Sequence, residues 1–176
     1  MTTEQGIGVL AVVTAVVLGA MWLGWARRGA RTASLVPALP AVPGPGDRGE
    51  ALGTVEATYV STTLAGSWLE RVVAHRLGVR SSAVVSVHPA GVMIARQGAP
   101  DLFVPADSLR GAHLAPGIAG KVVGGERLVV LRWAIGGVEV DTGFLPRRQA
   151  DRGVVMAALA GLVPGVEGTP TSEEPQ

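Results

Sequence analysis

Apolar and polar positions divide the chain into four stretches of different character. Residues 6–26, GIGVLAVVTAVVLGAMWLGWA, run without a charged side chain. Residues 27–50 become dense in Pro and Gly, residues 51–163 alternate in short strand-like and helix-like periods, and residues 164–176 are polar. The first stretch as a helix would measure about 30 Å, the thickness of a bilayer's hydrocarbon core. It has no polar face to turn toward water, and the leading MTTEQ carries Glu4 where a secretory signal needs a basic segment. The pattern predicts a retained transmembrane helix over 6–26 behind a short tail, 1–5.

Trp22 and Trp25 sit at the far end of that stretch, followed by Arg27, Arg28 and Arg31. This is the sequence of a headgroup boundary, where indole rings settle and guanidiniums reach water. With arginines only behind the span, the positive-inside rule puts the N-terminus outside and the C-terminal domain in the cytoplasm of a single-pass cell-membrane protein. Ala11, Ala15 and Gly19 recur every four residues, a small-xxx-small face through which two copies would associate weakly.

The Pro/Gly stretch, 27–50, excludes a helix or a central strand and reads as an extended linker. Beyond it one domain is expected over 51–163. TVEATYVSTT, residues 54–63, is rich in β-branched residues and predicts a strand. SWLERVVAHRLG, residues 67–78, changes to helical spacing, with Trp68, Leu69, Val72, Val73 and Leu77 on one face. Short strands follow in SAVVSVH, GVMIAR, DLFVPA and LRGAHLA, the first two joined by Pro89-Ala90. RLVVLRWAI and VEVDTGFL flank Gly136-Gly137, a strong hairpin signal. Residues 147–163 predict a closing helix with Val154, Val155, Ala158, Leu159 and Leu162 on its apolar face. The remaining 164–176 has the composition of a disordered tail.

Composition narrows the chemistry. The chain is 48% hydrophobic with only 4% aromatic residues, and it has no cysteine. Thiolate nucleophiles and cysteine-ligated metals are therefore excluded. Its formal net charge is +1, which gives no reason to expect nucleic acid as a partner. His75, His88 and His113 lack the spacing of metal ligands. The Gly120-Lys121 pair lacks both the upstream glycine and the following Ser or Thr of a phosphate loop, so 116–125 reads as a flexible inter-strand loop.

Asp141-Thr142-Gly143 matches the triplet of aspartic proteases. The bulky Phe144 follows it, however, and the chain after it has no room for the rest of such a fold. Asp141 is expected on the solvent face of a hairpin strand together with Glu139. Two arginine groups remain, Arg71, Arg76 and Arg80 about the 67–78 segment and Arg147, Arg148 and Arg152 at the start of the last helix. They form a candidate patch for anionic headgroups or an acidic partner.

About seven antiparallel strands closed by a C-terminal helix outline a pleckstrin-homology-like (PH-like) barrel, mainly β, preceded here by one transmembrane helix. GSWLERVVAHRLGVRS (66–81), GVMIARQGAPDLFVPADSLRG (91–111), GIAGKVV (117–123) and VDTGF (140–144) give the chain a specific likeness. It resembles actinobacterial membrane proteins with one N-terminal span and a PH-like domain, often encoded beside pyrimidine-biosynthesis genes. The resemblance covers most of 53–163 and implies a fold and an association, with no reaction attached. The function expected is a membrane-anchored cytosolic binding or scaffolding module with a protein partner, no cofactor, no metal and no catalysis of its own. The alternatives are an accessory subunit of an enzyme or transporter complex, and a PH-like domain that binds anionic lipid or another ligand.

Overall fold

The computed structural model describes residues 7–8, 10, 12–24, 36, 38–67, 69–122 and 124–163. Nine strands fall among them: β1 (Gly53–Leu64), β2 (Ser81–His88), β3 (Gly91–Arg96), β4 (Leu102–Pro105), β5 (Leu109–Ala115), β6 (Gly117–Ile118), β7 (Lys121–Val122), β8 (Leu128–Ile135) and β9 (Val138–Pro146). One α-helix, Gln149–Ala160, follows them. Seven strands make a single antiparallel sheet in the order β4-β3-β2-β1-β9-β8-β5. Its edges, β4 and β5, do not pair with each other, so the seven-stranded barrel expected to be closed by the C-terminal helix is an open sheet.

The sheet nonetheless encloses one core. Val85, Ile94 and Leu102 from the β2–β4 half lie in the same buried cluster as Leu131, Trp133 and Phe144 from the β8–β9 half. β4 ends at Pro105 and β5 begins at Leu109, so only residues 106–108 join the two opposite edges, and the sheet must curl on itself. β1 carries the curl. Its first part pairs with β2 from Gly53↔Val87 to Tyr59↔Ser81, and its later part pairs with β9 from Ala57↔Pro146 to Leu64↔Val140. The β1–β9 register slips between Tyr59 and Ser61, a bulge that bends the strand and increases its twist. The C-terminal helix packs on β1, β2 and β9 and buries Val155 and Leu159 completely. Val154, expected on the same face, is 48% exposed.

The hairpins follow the turn chemistry. Ile135 pairs with Val138 around Gly136-Gly137, whose φ angles of 60° and 81° suit glycine best. Pro89-Ala90 connects His88 to Gly91 across the β2–β3 turn.

The helix expected over 67–78 does not form. Trp68 lies outside the described residues, and the segment from Leu69 to Leu77 lies along β1 where β2 leaves it. Val72 N–H donates to the Thr62 carbonyl and Thr62 N–H to the Leu77 carbonyl, both at 2.9 Å. Leu64 N–H reaches the Glu70 carbonyl at 3.0 Å, and Thr63 bridges to Arg71. Only Ala74–Arg76 form a short 3₁₀ turn, with His75 and Arg76 at φ 51° and 58°. The exposed edge of β1 needs these donors and acceptors, and satisfying them outweighs helical spacing. Val72 and Leu77 are buried, whereas Leu69 and Val73 stay exposed, so the supposed apolar face is divided.

Two further segments differ from the sequence reading. The glycine-rich 116–125 stretch, expected as a flexible loop, contains the β6–β7 hairpin. This hairpin lays Ile118 over Val60, Leu128 and Val130 on the outer face of the sheet, making a second small core. The Pro/Gly linker is not free along its described part. Val36 is fully buried in the main core, Leu39 packs against that core, and the Val36 carbonyl lies 2.9 Å from His75 Nε2. Farther on, Ala90 N–H donates to the Arg48 carbonyl, and His88 Nδ1 lies 2.9 Å from the Gly49 carbonyl. Residues 36 and 38–50 thus form a strap across the domain.

At the N-terminus, residues 12–24 are helical. Among the described residues no helix is long and apolar enough to cross a membrane. The expected 6–26 span extends at both ends into residues outside that description. Trp25, Arg27, Arg28, Arg31 and the 164–176 tail also lie outside it, as does Ala11 of the small-residue face.

Candidate functional site

The Asp-Thr-Gly triplet proves to be three separate structural devices. Asp141 stands opposite Arg132 across the β8–β9 pair. Arg132 Nε donates to Oδ1 at 2.8 Å and Nη2 to Oδ2 at 2.9 Å, and this bonding raises the guanidinium's pKa. Both carboxylate oxygens are engaged, and the side chain is only 14% exposed. Asp141 is therefore paired, where a solvent-facing carboxylate was expected. Gly143 is required by packing: a Cβ there would stand 2.8 Å from Ile118 Cγ2 and 3.1 Å from Leu128 Cδ2.

Thr142 belongs to a buried chain of hydroxyls. Trp133 Nε1–H donates to Thr142 Oγ1 at 2.9 Å, Thr142 and Thr62 hydroxyls lie 2.8 Å apart, and Thr62 lies 2.7 Å from the Tyr59 hydroxyl. Tyr59 in turn donates to the Leu77 carbonyl at 2.6 Å. The two ends fix the direction, since an indole nitrogen only donates and a carbonyl only accepts. Protons therefore run from Trp133 to Thr142, Thr62, Tyr59 and finally Leu77, and each hydroxyl donates once and accepts once. Burial pushes the Tyr59 phenol up to about 12, against the lowering effects of Thr62 and of Arg96. The Arg96 guanidinium lies 4.8 Å from the Tyr59 ring centre. It donates to the Pro100 carbonyl at 2.7 Å and the Arg76 carbonyl at 3.1 Å, and its burial lowers its own pKa. This network locks β1, β8 and β9 to the 69–77 segment.

The arginines divide into two places. Arg71 Nη2 donates to the Ala119 carbonyl at 3.2 Å, so this side chain ties the β6–β7 hairpin to the 69–77 segment. Arg76 and Arg80 are exposed, and none of the three lines the cavity formed by the second group. Arg147, Arg148 and Arg152 do come together, where β9 ends and the C-terminal helix begins. They line a cavity of about 290 Å³, and Arg127 joins them from the start of β8. Leu145, Pro146 and Gln149 complete the wall.

Local structure explains the grouping. Pro146 ends β9, and Arg148, with extended backbone (φ −108°, ψ 145°), caps the helix without a side-chain bond. Arg152 lies one turn into the helix and donates to the Glu126 carbonyl at 2.9 Å. Arg127 Nε donates to the Gly124 carbonyl at 2.9 Å. Arg147 Nη1 lies 3.3 Å from Glu56 Oε2, with both side chains more than half exposed, so the pair is weak. Guanidiniums at the positive end of a helix oppose its dipole, which is an arrangement suited to an anion rather than to stability.

Among the described residues, no group of three or more His, Asp or Glu is placed to hold a metal. His75 and His88 are occupied in fastening the strap, with His88 Nε2 also 3.0 Å from Ser86 Oγ. Trp22 lies within the helical residues 12–24 and is 67% exposed.

The match to a protein family agrees with this architecture. The family described as bacterial PH domain-like matches residues 36–160, more than half of the chain, and the match begins at the buried Val36. No curated protein matches. Among solved structures, the chain is similar to the C-terminal domain of an unknown protein from Leishmania infantum. The two are 12% identical with a TM-score of 0.38, over 63% of this chain and 84% of that one.

Proposed function

The chain belongs to the bacterial PH domain-like family, and on that premise we propose that it is a membrane-anchored cytosolic binding or scaffolding module without a reaction of its own. A PH-like fold by itself names no ligand, so the reading rests on what this chain adds to the fold. The observation that carries it is the helical stretch 12–24, whose large apolar side chains are exposed: Val12 64%, Val16 65%, Met21 67%. A helix that is apolar all round has no stable place in water and is suited to hydrocarbon. Arg27, Arg28 and Arg31 behind it favour a cytosolic domain.

The strap sets the reach of this anchor. Only the residues between 24 and the buried Val36 are available as a leash, about 40 Å at full extension. The domain would therefore act close to the bilayer surface. Purification of the full chain from membranes in neutral detergent tests the reading. It predicts a bound protein or ligand retained at constant stoichiometry through washing. A chain that emerges alone from membranes, yet turns over a substrate, would contradict it.

A further inference from the structure

We propose that the cavity lined by Arg127, Arg147, Arg148 and Arg152 binds a phosphomonoester, carried by a lipid headgroup or by a free phosphate compound. This deepens the binding-module reading, but it stands on the cavity and needs no membrane anchor. The lining holds four guanidiniums and no carboxylate. The acids nearby are Glu56, which pairs loosely with Arg147, Asp151 in the first helical turn, and Glu126, whose carbonyl rather than carboxylate meets Arg152. None of them lines the cavity.

The hydrogen-bonding capacity fits a phosphate. A guanidinium carries five N–H donors in a planar fork, and the bond from Arg152 to the Glu126 carbonyl uses one of them. Arg147 can leave Glu56 at little cost, since ion pairs between exposed side chains contribute little net stability. Arg148 sits at the helix N-terminus, where first-turn amides and the dipole favour negative charge. Several converging forks match the oxygens and double charge of a phosphomonoester better than those of a single carboxylate. A cavity of about 290 Å³ holds the phosphate with part of its substituent, which Leu145 and Pro146 give an apolar wall.

The test uses the full chain in neutral detergent at fixed ionic strength, titrated with inorganic phosphate and with monomeric dihexanoyl phosphatidic acid. Dihexanoyl phosphatidylcholine serves as the neutral comparison. We expect saturable binding of at least one phosphate ligand, weakened about tenfold or more by Arg148→Gln/Arg152→Gln and changed less than about twofold by Arg80→Gln/Arg110→Gln. Both double variants should keep the parent's thermal transition within a few degrees. Tighter binding of the phosphatidic acid assigns a lipid source, and equal or tighter binding of inorganic phosphate assigns a free one. Saturation by neither ligand, or equal loss in both double variants, overturns the proposal. A chain that binds phosphate but washes freely from membranes would sink the anchor and leave this site standing.

Discussion

Trp133 donates its indole N–H to Thr142 Oγ1 at 2.9 Å, inside a core where both residues have zero exposure. The middle residue of the Asp-Thr-Gly triplet is therefore the one that matters most to the fold. Thr142→Val keeps the shape but leaves the indole donor and the Thr62 oxygen without their partner. It should cost about 2–4 kcal/mol, as expected for buried groups left unsatisfied. Asp141→Asn, which only weakens a partly exposed ion pair with Arg132, should cost about 1 kcal/mol or less. Chemical unfolding of the two variants gives the ranking, and equal costs would contradict it.

Gly143 should tolerate a methyl group only if Ile118 gives way. Gly143→Ala is expected to cost about 1–3 kcal/mol through overpacking against Ile118 and Leu128. In an Ile118→Ala background the same change should cost clearly less, and the double-mutant cycle reads that coupling. Additive costs would mean that the β6–β7 hairpin does not press on this glycine.

Tyr59 is the chain's single tyrosine, so phenolate absorbance reports it alone. Its folded pKa is raised to about 12 from the ordinary 10.0, so the neutral form is the one that the fold favours. The associated stability is complete below pH 10 and falls between pH 10 and 12, where the unfolded chain ionises and the folded one does not. The loss by pH 12 should approach about 2–3 kcal/mol. Tyr59→Phe should lack this part of the alkaline decline. A phenol titrating near 10 in the folded protein would disprove the buried hydroxyl chain.

The strand order was legible wherever the signal was local. Gly136-Gly137 fixed the β8–β9 hairpin, Pro89-Ala90 the β2–β3 hairpin, and residues 149–160 carried the spacing of the closing helix. The 67–78 segment was misread because its spacing is helical while its backbone completes the edge of β1, a long-range demand that no local pattern displays. The site was half legible. Arg147, Arg148 and Arg152 are close in sequence, but Arg127 stands far away in a glycine-rich stretch. Its signal was the hairpin register: pairs such as Val129↔Phe144, continued outward, bring Arg127 opposite Pro146. The strap was hidden by its composition, because Pro and Gly content predicts extended backbone whether or not it docks.

That strap makes its own prediction. Val36→Ala should cost about 1–3 kcal/mol, as for a buried aliphatic side chain. A residue in a free linker would change stability by less than about 0.5 kcal/mol. Thermal unfolding of the variant beside the parent decides between them.

The most direct test of the membrane-anchored account is an alkaline carbonate wash of membranes from cells producing either the full chain or residues 27–176. The account predicts that the full chain stays in the membrane pellet, whereas residues 27–176 are recovered in the supernatant with a cooperative unfolding transition. Release of the full chain into the wash alongside the shortened one would contradict it.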